Sequence, residues 1–372
     1  MSIDLTTHLT DLSEAVGLSG YETPIRQLIE SEWERLADDL RVDALGNLFA
    51  TRYATTAAAQ GTLLIATHMD EIGLMVSSID GAFLRVTSVG GIDKRVMIGQ
   101  TVVVHGSEDL LGLVGSRPPH VLPAEDRKKY PDLSDLVIDT GLTAEEVSEQ
   151  VRIGDLVSID QKAVKLNGDL LCGKSMDNRA SVACATLILE GLQSRSFNWN
   201  VVVAATVQEE VGLKGATTAA WGIAPHLALA IDVGFATGNG VGEDSGFKLG
   251  GGPTIMIGPN AHPKLFDRLR QTAKKLELPL HPEPAPRGTG TDGYAIQISR
   301  SGVPTAVLSI PIRNMHTPVE IASLKDIERT ARIVVQFISE LDDQTLHRLS
   351  LDAEEAAENG ADSADDEGET TD

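Results

Sequence analysis

The sequence is poor in cysteine, in basic residues and in long apolar runs, and each shortage removes a class of protein. Two cysteines, Cys172 and Cys184, are too few for an export-type disulfide framework, and both are expected to be small buried hydrophobes. The longest apolar stretches, such as VVVAATV at 201–207, are of strand length, well short of the roughly 18 residues that a membrane-spanning helix needs. The opening MSIDLTTHLT has no basic region followed by an apolar one, so no export signal is expected and a cytoplasmic location is. Lys and Arg number 31 against 54 Asp and Glu, and the formal charge of −23 disfavours nucleic acid and anionic membrane as partners.

Ten of the acidic residues lie between Asp352 and Asp372, in DAEEAAENGADSADDEGETTD, which has no basic and no large apolar residue and is expected to be a disordered solvated tail. The remaining body is still acidic, and its 19 Arg outnumber its 12 Lys. Adaptation to a salt-rich cytoplasm accounts for both facts, because concentrated salt screens the self-repulsion of a highly charged fold.

What is present is an ample core: 372 residues, 42% hydrophobic, enough for two domains or for one large domain carrying an insertion. Leu5, Leu9, Leu12 and Val16 have helical spacing before Gly17. Thr23 is placed to cap a second helix, with Pro24 in its first turn and Ile25, Leu28, Ile29, Trp33 and Leu36 as its apolar face. Hairpin-like VDALGNLFATR leads to the strand TLLIAT at 62–67, which ends at His68. Three later segments repeat that design, an apolar strand delivering polar residues at its carboxyl end. VVVAATV leads to Gln208, Glu209 and Glu210; LALAI leads to Asp232; TAVLSI leads through a short loop to His316. Helical patterns intervene after Asp177 and from Ser323 to Leu341, the latter opening with Ser323 and Asp326 in capping-box spacing. The alternation predicts an α/β fold with a central, mostly parallel sheet flanked by helices, and a ligand outside the carboxyl ends of its strands. The stretch 72–165, rich in Gly and Val with one helical segment around LTAEEVSEQV, is expected to be a small β-rich inserted domain. The expected division is therefore 1–71 with 166–350, the insertion 72–165, and the tail 351–372.

Two neighbouring divalent ions require His nitrogen, carboxylate oxygen and one carboxylate able to bridge them. Candidates are His68 and Asp70 in THMDEIG, Asp177 in KSMDNR, Glu209 and Glu210 in TVQEEVGLKGA, Asp232 in IDVG and His316 in MHTPVE. Two adjacent carboxylates directly after seven apolar residues repel each other unless a cation or a proton lies between them, so Glu209 and Glu210 stand out. A metal ligand commits its lone pairs and is a poor proton acceptor, whereas an uncoordinated neighbour is free to shuttle protons; which glutamate does which stays open at this point. Asp292 in GTGTDG is explained by turn chemistry. His105, His120, His226, His262 and His281 lack carboxylate company at a strand end and are expected to be structural or surface residues. Gly250 to Gly252 have no phosphate-loop spacing.

This set, in this order and with these flanks, resembles the tetrahedral and deblocking aminopeptidases, a family of co-catalytic metallopeptidases that includes glutamyl aminopeptidases. The likeness runs from the first helix to about Leu341, through RPPHVLPAEDRKK, GTGTDGYAIQ and IPIRNMHTPVE. The resemblance implies an aminopeptidase with two divalent ions, zinc or cobalt, removing N-terminal residues from peptides. Asp177 would bridge the ions, His68 and Asp232 would complete one site, and Glu210 and His316 the other. Glu209 would be the general base, taking a proton from the water between the metals and returning it to the leaving amine. Asp70 would hold the His68 ring in one tautomer. The inserted domain would join dimers and build a hollow homo-oligomer of about twelve chains. A related carboxypeptidase or deacylase differs in which end of the substrate is held. An endoglucanase would need two opposed carboxylates and no His-ligated metals, and a non-enzymatic metal scaffold would have no use for Glu209.

Overall fold

The computed structural model describes residues 3–351, apart from 57, 126, 239 and 243, so the expected acidic tail from Asp352 to Asp372 lies outside the described residues. The chain opens with α1 (Leu5–Glu14), α2 (Thr23–Trp33), β1 (Asp39–Val42), β2 (Leu48–Arg52) and β3 (Thr62–His68). Six strands follow: β4 (Gly73–Asp80), β5 (Phe83–Val89), β6 (Thr101–His105), β7 (Asp109–Ser116), β8 (Leu136–Asp139) and, after α3 (Ala144–Gln150), β9 (Leu156–Ile159). The chain then forms β10 (Val164–Lys165), β11 (Leu170–Gly173), α4 (Met176–Leu192), β12 (Asn200–Thr206), α5 (Lys214–Ile223) and β13 (Leu227–Phe235). It closes with β14 (Thr254–Ile257), α6 (Pro263–Lys275), β15 (His281–Pro284), α7 (Asp292–Gln297), β16 (Thr305–Arg313), β17 (Glu320–Ser323), α8 (Leu324–Ser339) and α9 (Thr345–Leu349).

The large sheet has the order β1-β2-β12-β3-β13-β16-β17-β11-β10, with β14 and β15 attached beside β16. Its centre, β12, β3, β13 and β16, is parallel, and the flanking strands β2 and β17 run antiparallel to it. The central strands are apolar almost throughout because helices cover both faces. Alternation along β3 shows the two layers: Leu63 and Ile65 join the core under α1, α2, α4, α6 and α8, while Leu64 and Ala66 join the one under α5 and α7.

Strands β4 to β9 close into a six-stranded antiparallel barrel in the order β4-β5-β8-β7-β6-β9. Val76, Leu84, Val102, Val104, Val114, Ile138 and Val157 fill it, joined by Val147 of α3. Their neighbours along β7, Leu111 and Leu113, point outward and are 61% and 56% exposed. Val164 and Lys165, within the stretch expected to be inserted, pair with β11 in the large sheet.

Four local expectations are corrected. Thr23 is the first residue of α2 and Glu22 occupies the capping position without a side-chain bond to the helix, its carboxylate accepting the Gly20 and Gln208 N–H groups instead. The Ser323 and Asp326 capping box does not form: the Ser323 hydroxyl donates to Asp169 at 2.6 Å, and Asp326 accepts the Gly250 and Gly252 N–H groups at 2.7 and 2.8 Å. Those glycine amides hold a carboxylate of the chain itself. Cys184 is buried, but Cys172 is only half-buried. Asp232 lies inside β13, not at its end, since pairing with β16 continues through Phe235.

Candidate metal centre

The carboxyl ends of the parallel strands bring all seven candidates together. His68 closes β3, and the turn after β12 carries Glu209 and Glu210 beyond Gln208, which adopts φ +55°. Asp232 reaches the same place from mid-strand because the pairing of β13 with β3 stops at Ala230, leaving the chain beyond it open toward His68. Asp177 sits at the start of α4, two residues after Ser175 at φ +58°. His316 follows β16 and is itself left-handed, φ +62°. Several non-glycine residues in this sparsely populated region around one site mark a backbone held by its surroundings.

The histidines lie on opposite sides of one carboxylate. His68 Nε2 is 3.1 Å from Asp177 Oδ1, and His316 Nε2 is 3.4 Å from Asp177 Oδ2. Asp232 Oδ1 and Glu209 Oε2 lie 3.7 and 3.9 Å from His68 Nε2, and Glu210 Oε2 lies 3.6 Å from His316 Nε2. Two groups with donor atoms within 4.8 Å of one another result, His68 with Asp177 and Asp232, and Asp177 with Glu210 and His316; His68, Glu209 and Glu210 form a third. Imidazole nitrogens and carboxylate oxygens in clusters sharing one aspartate form a donor set that could hold metal ions.

The electrostatics support that fit. Burial, reinforced by the charges of Asp232, Asp292 and Glu210, pushes the Glu209 carboxyl up to about 10, and burial with Asp177 pushes Glu210 up to about 8. Burial also raises Asp232. Hydrogen bonding to Asp177 raises His316 to about 9, while the two imidazoles more than offset burial and lower Asp177. The cluster thus favours cations, and metal binding would displace the protons it otherwise holds.

Asp70 is fully buried and accepts the Glu209 and Glu210 N–H groups at 3.0 and 3.2 Å and the Ser19 hydroxyl at 2.6 Å. Its Oδ1 lies 3.5 Å from His68 Nδ1, on the side of the ring away from Asp177, and that nitrogen has no hydrogen bond. Asp292, expected to be a turn residue, is buried at the start of α7, accepts the Thr206 hydroxyl at 2.5 Å, and is pushed up to about 7, chiefly by burial.

Sequence reasoning missed two supports. Glu320 accepts the N–H groups of both Asp177 and His316, and Glu71 forms a buried pair with Lys174 at 2.5 Å while also accepting the Gly17 N–H and the Ser175 hydroxyl. Glu320 ends the quoted MHTPVE and Glu71 follows Asp70 in THMDEIG, but no spacing separates either from a surface glutamate. The five histidines expected to be structural or surface residues stay outside the cluster: His105 bonds Asp109 and Ser158, His226 accepts from Thr62, His262 caps α6, His281 bonds the Gly251 carbonyl, and His120 is exposed.

The family model for the M42 glutamyl aminopeptidases matches residues 46–333. A lysyl aminopeptidase of Pyrococcus furiosus is 36% identical over 337 residues, 88% of this chain and 95% of that one. Among solved structures, an aminopeptidase from the archaeon Desulfurococcus kamchatkensis superposes with a TM-score of 0.86 at 35% identity, covering 93% of this chain and 97% of its own. The Pyrococcus horikoshii TET1 peptidase, described as assembling into a tetrahedron or a large octahedral shell, gives 0.80 at 33% identity over 91% of this chain and 100% of its own. With the family model and relatives above 30% identity both spanning most of its length, this chain belongs to the M42 glutamyl aminopeptidase family of metal-dependent peptide hydrolases.

Proposed function

We propose that the chain removes N-terminal residues from peptides with two divalent ions, zinc or cobalt, and with Glu209 as general base. The observation that carries this reading is Asp177, whose two oxygens face two histidines. His68 and Asp232 would hold one ion with it, and Glu210 and His316 the other. When bound, the ions supply Lewis acidity toward the scissile carbonyl and make water a usable nucleophile at neutral pH. Glu209 stands beside the donors, with its carboxylate 3.9 Å from His68 Nε2 and grouped with His68 and Glu210. It accepts the proton of the attacking water and returns it to the leaving amine. Asp70 fixes Glu209 and Glu210 through their N–H groups, and faces the rear of the His68 ring.

We assign the barrel to assembly into a homo-oligomer, the TET1 relative being a protein that assembles into a tetrahedron or an octahedral shell. Leu111 and Leu113 give its outer wall apolar surface for a second copy. A particle of about twelve chains enclosing the sites would admit unfolded peptides only.

A panel of aminoacyl chromogenic substrates, with N-acetylated peptides and a β-glucan as controls, tests the reading. Two ions per chain and chelator-sensitive cleavage confined to free N-termini are expected. Chelator-resistant activity, or equal cleavage of blocked peptides, would overturn it.

A further inference from the structure

Resting on the ligand assignment above, we infer that Glu320 is a positioning residue that sets the distance between the bridging aspartate and His316, and so the affinity of the ion those two share. Its Oε2 accepts the Asp177 N–H at 2.9 Å and its Oε1 accepts the His316 N–H at 2.6 Å. One carboxylate thereby clamps backbone from two segments far apart in the chain, each at the residue that carries a ligand. Both segments need the hold. Asp177 follows the left-handed Ser175, and His316 is itself left-handed and stands in a loop, with its ring 35% exposed. His68 ends a central strand of the sheet and is 2% exposed.

Glu320 is well placed for this task. It opens β17, where pairing with Gly173 of β11 fixes it to the strand that leads into Asp177. It is 2% exposed, so water does not compete for its oxygens. Only a carboxylate presents two acceptors to two converging N–H groups; a glutamine would turn an NH2 group toward one of them, and an aspartate is one methylene too short. His68 and Asp232 take no hydrogen bond from Glu320, so the clamp acts on one ion place more than on the other.

The test titrates zinc out of the full-length enzyme with a chromophoric competitor, for wild type, Glu320→Gln and Glu320→Ala. Asp326→Asn is the control, because Asp326 is a second buried carboxylate that clamps two backbone N–H groups, those of Gly250 and Gly252, away from the centre. Both Glu320 variants should bind the ion of the His316 place about ten- to a hundredfold more weakly, and the ion of the His68 place, which shares only Asp177 with the clamp, should weaken clearly less. Hydrogen exchange of the peptide spanning residues 314–320 should speed up in Glu320→Gln, a reading that also serves if Glu320→Ala does not fold. Asp326→Asn should lower Tm and leave both zinc affinities unchanged. Equal weakening of both ions, or a second affinity in Glu320→Gln within threefold of wild type, would overturn the inference. A wild-type enzyme that never binds two zinc ions would instead overturn the proposed function.

Discussion

The buried pair of Glu71 and Lys174 allows a prediction whose size follows from its contacts. Both side chains are at most 4% exposed, and the carboxylate also accepts the Gly17 N–H at 2.9 Å and the Ser175 hydroxyl. Lys174→Met leaves the carboxylate with those two donors and with the field of Arg179, so the loss should fall near the lower end of the about 3–5 kcal/mol expected for breaking a buried pair. Glu71→Met is worse, near the upper end of that same about 3–5 kcal/mol range, because among the described residues the ammonium keeps one hydrogen bond, to the Ala15 carbonyl at 3.2 Å, and the more distant charge of Glu14. In the double variant the ammonium goes with its carboxylate; what remains is the unpaired Gly17 N–H, about 1–3 kcal/mol, and the buried Arg179, which loses the Glu71 charge and keeps those of Asp70 and Glu22, a loss that Glu71→Met alone shares. The double variant should therefore be more stable than Glu71→Met alone. The pH dependence has a definite sign. Burial alone would raise the Glu71 carboxyl, but the Lys174 and Arg179 charges more than offset it and hold it below its ordinary 4.5. The unfolded chain then binds the proton first, so this contribution is complete above the unfolded value and is lost as pH falls through the folded one. Without Lys174 the loss should begin at higher pH. Urea unfolding of the four proteins at saturating zinc, followed by circular dichroism at pH 7 and at mildly acid pH, supplies the cycle. Additive single effects, or an unshifted acid limb in Lys174→Met, would refute the reasoning.

Two further outcomes are expected. Glu209→Gln should lower kcat by about 10² to 10⁴ while two metal ions remain bound; metal loss in that variant would show that the roles of Glu209 and Glu210 are reversed. If the acidic body is adapted to salt, particle size by light scattering and activity should fall together on dilution, because the Debye length is about 10 Å at 0.1 M and about 3 Å at 1 M. A chain ending at Ser350 should keep the same salt midpoint, and an enzyme still assembled and active at low salt would reduce its acidity to a matter of solubility.

Much of this architecture was legible because buried parallel strands must be apolar along their length and can change character only at their ends. His68, Glu209 and Glu210 stand at such changes and were found that way. Asp232 is a candidate for a slightly wrong reason: LALAI reads as a strand ending at the aspartate, yet the strand continues, and the earlier end of pairing with β3 opens it toward His68. Ser323 and Asp326 show the limit of local rules. Their spacing suits a capping box, but Asp169 and the glycine amides at 250 and 252, distant in sequence, compete successfully for them. Glu320 and Glu71 could not be recognised, since a glutamate that binds backbone leaves no periodicity behind.

The placement of His316 also governs when the centre can exist during synthesis. A chain released from the ribosome as far as Asp232 already carries His68, Asp177 and Asp232, the donors proposed for one ion, and also both glutamates. The second imidazole comes beyond β16, the last parallel strand to enter the sheet, and the clamp from Glu320 comes four residues later. Since synthesis proceeds from the N-terminus, a nascent or prematurely ended chain lacks the second place, and the peptidase centre is completed only when the sheet that carries it is nearly complete.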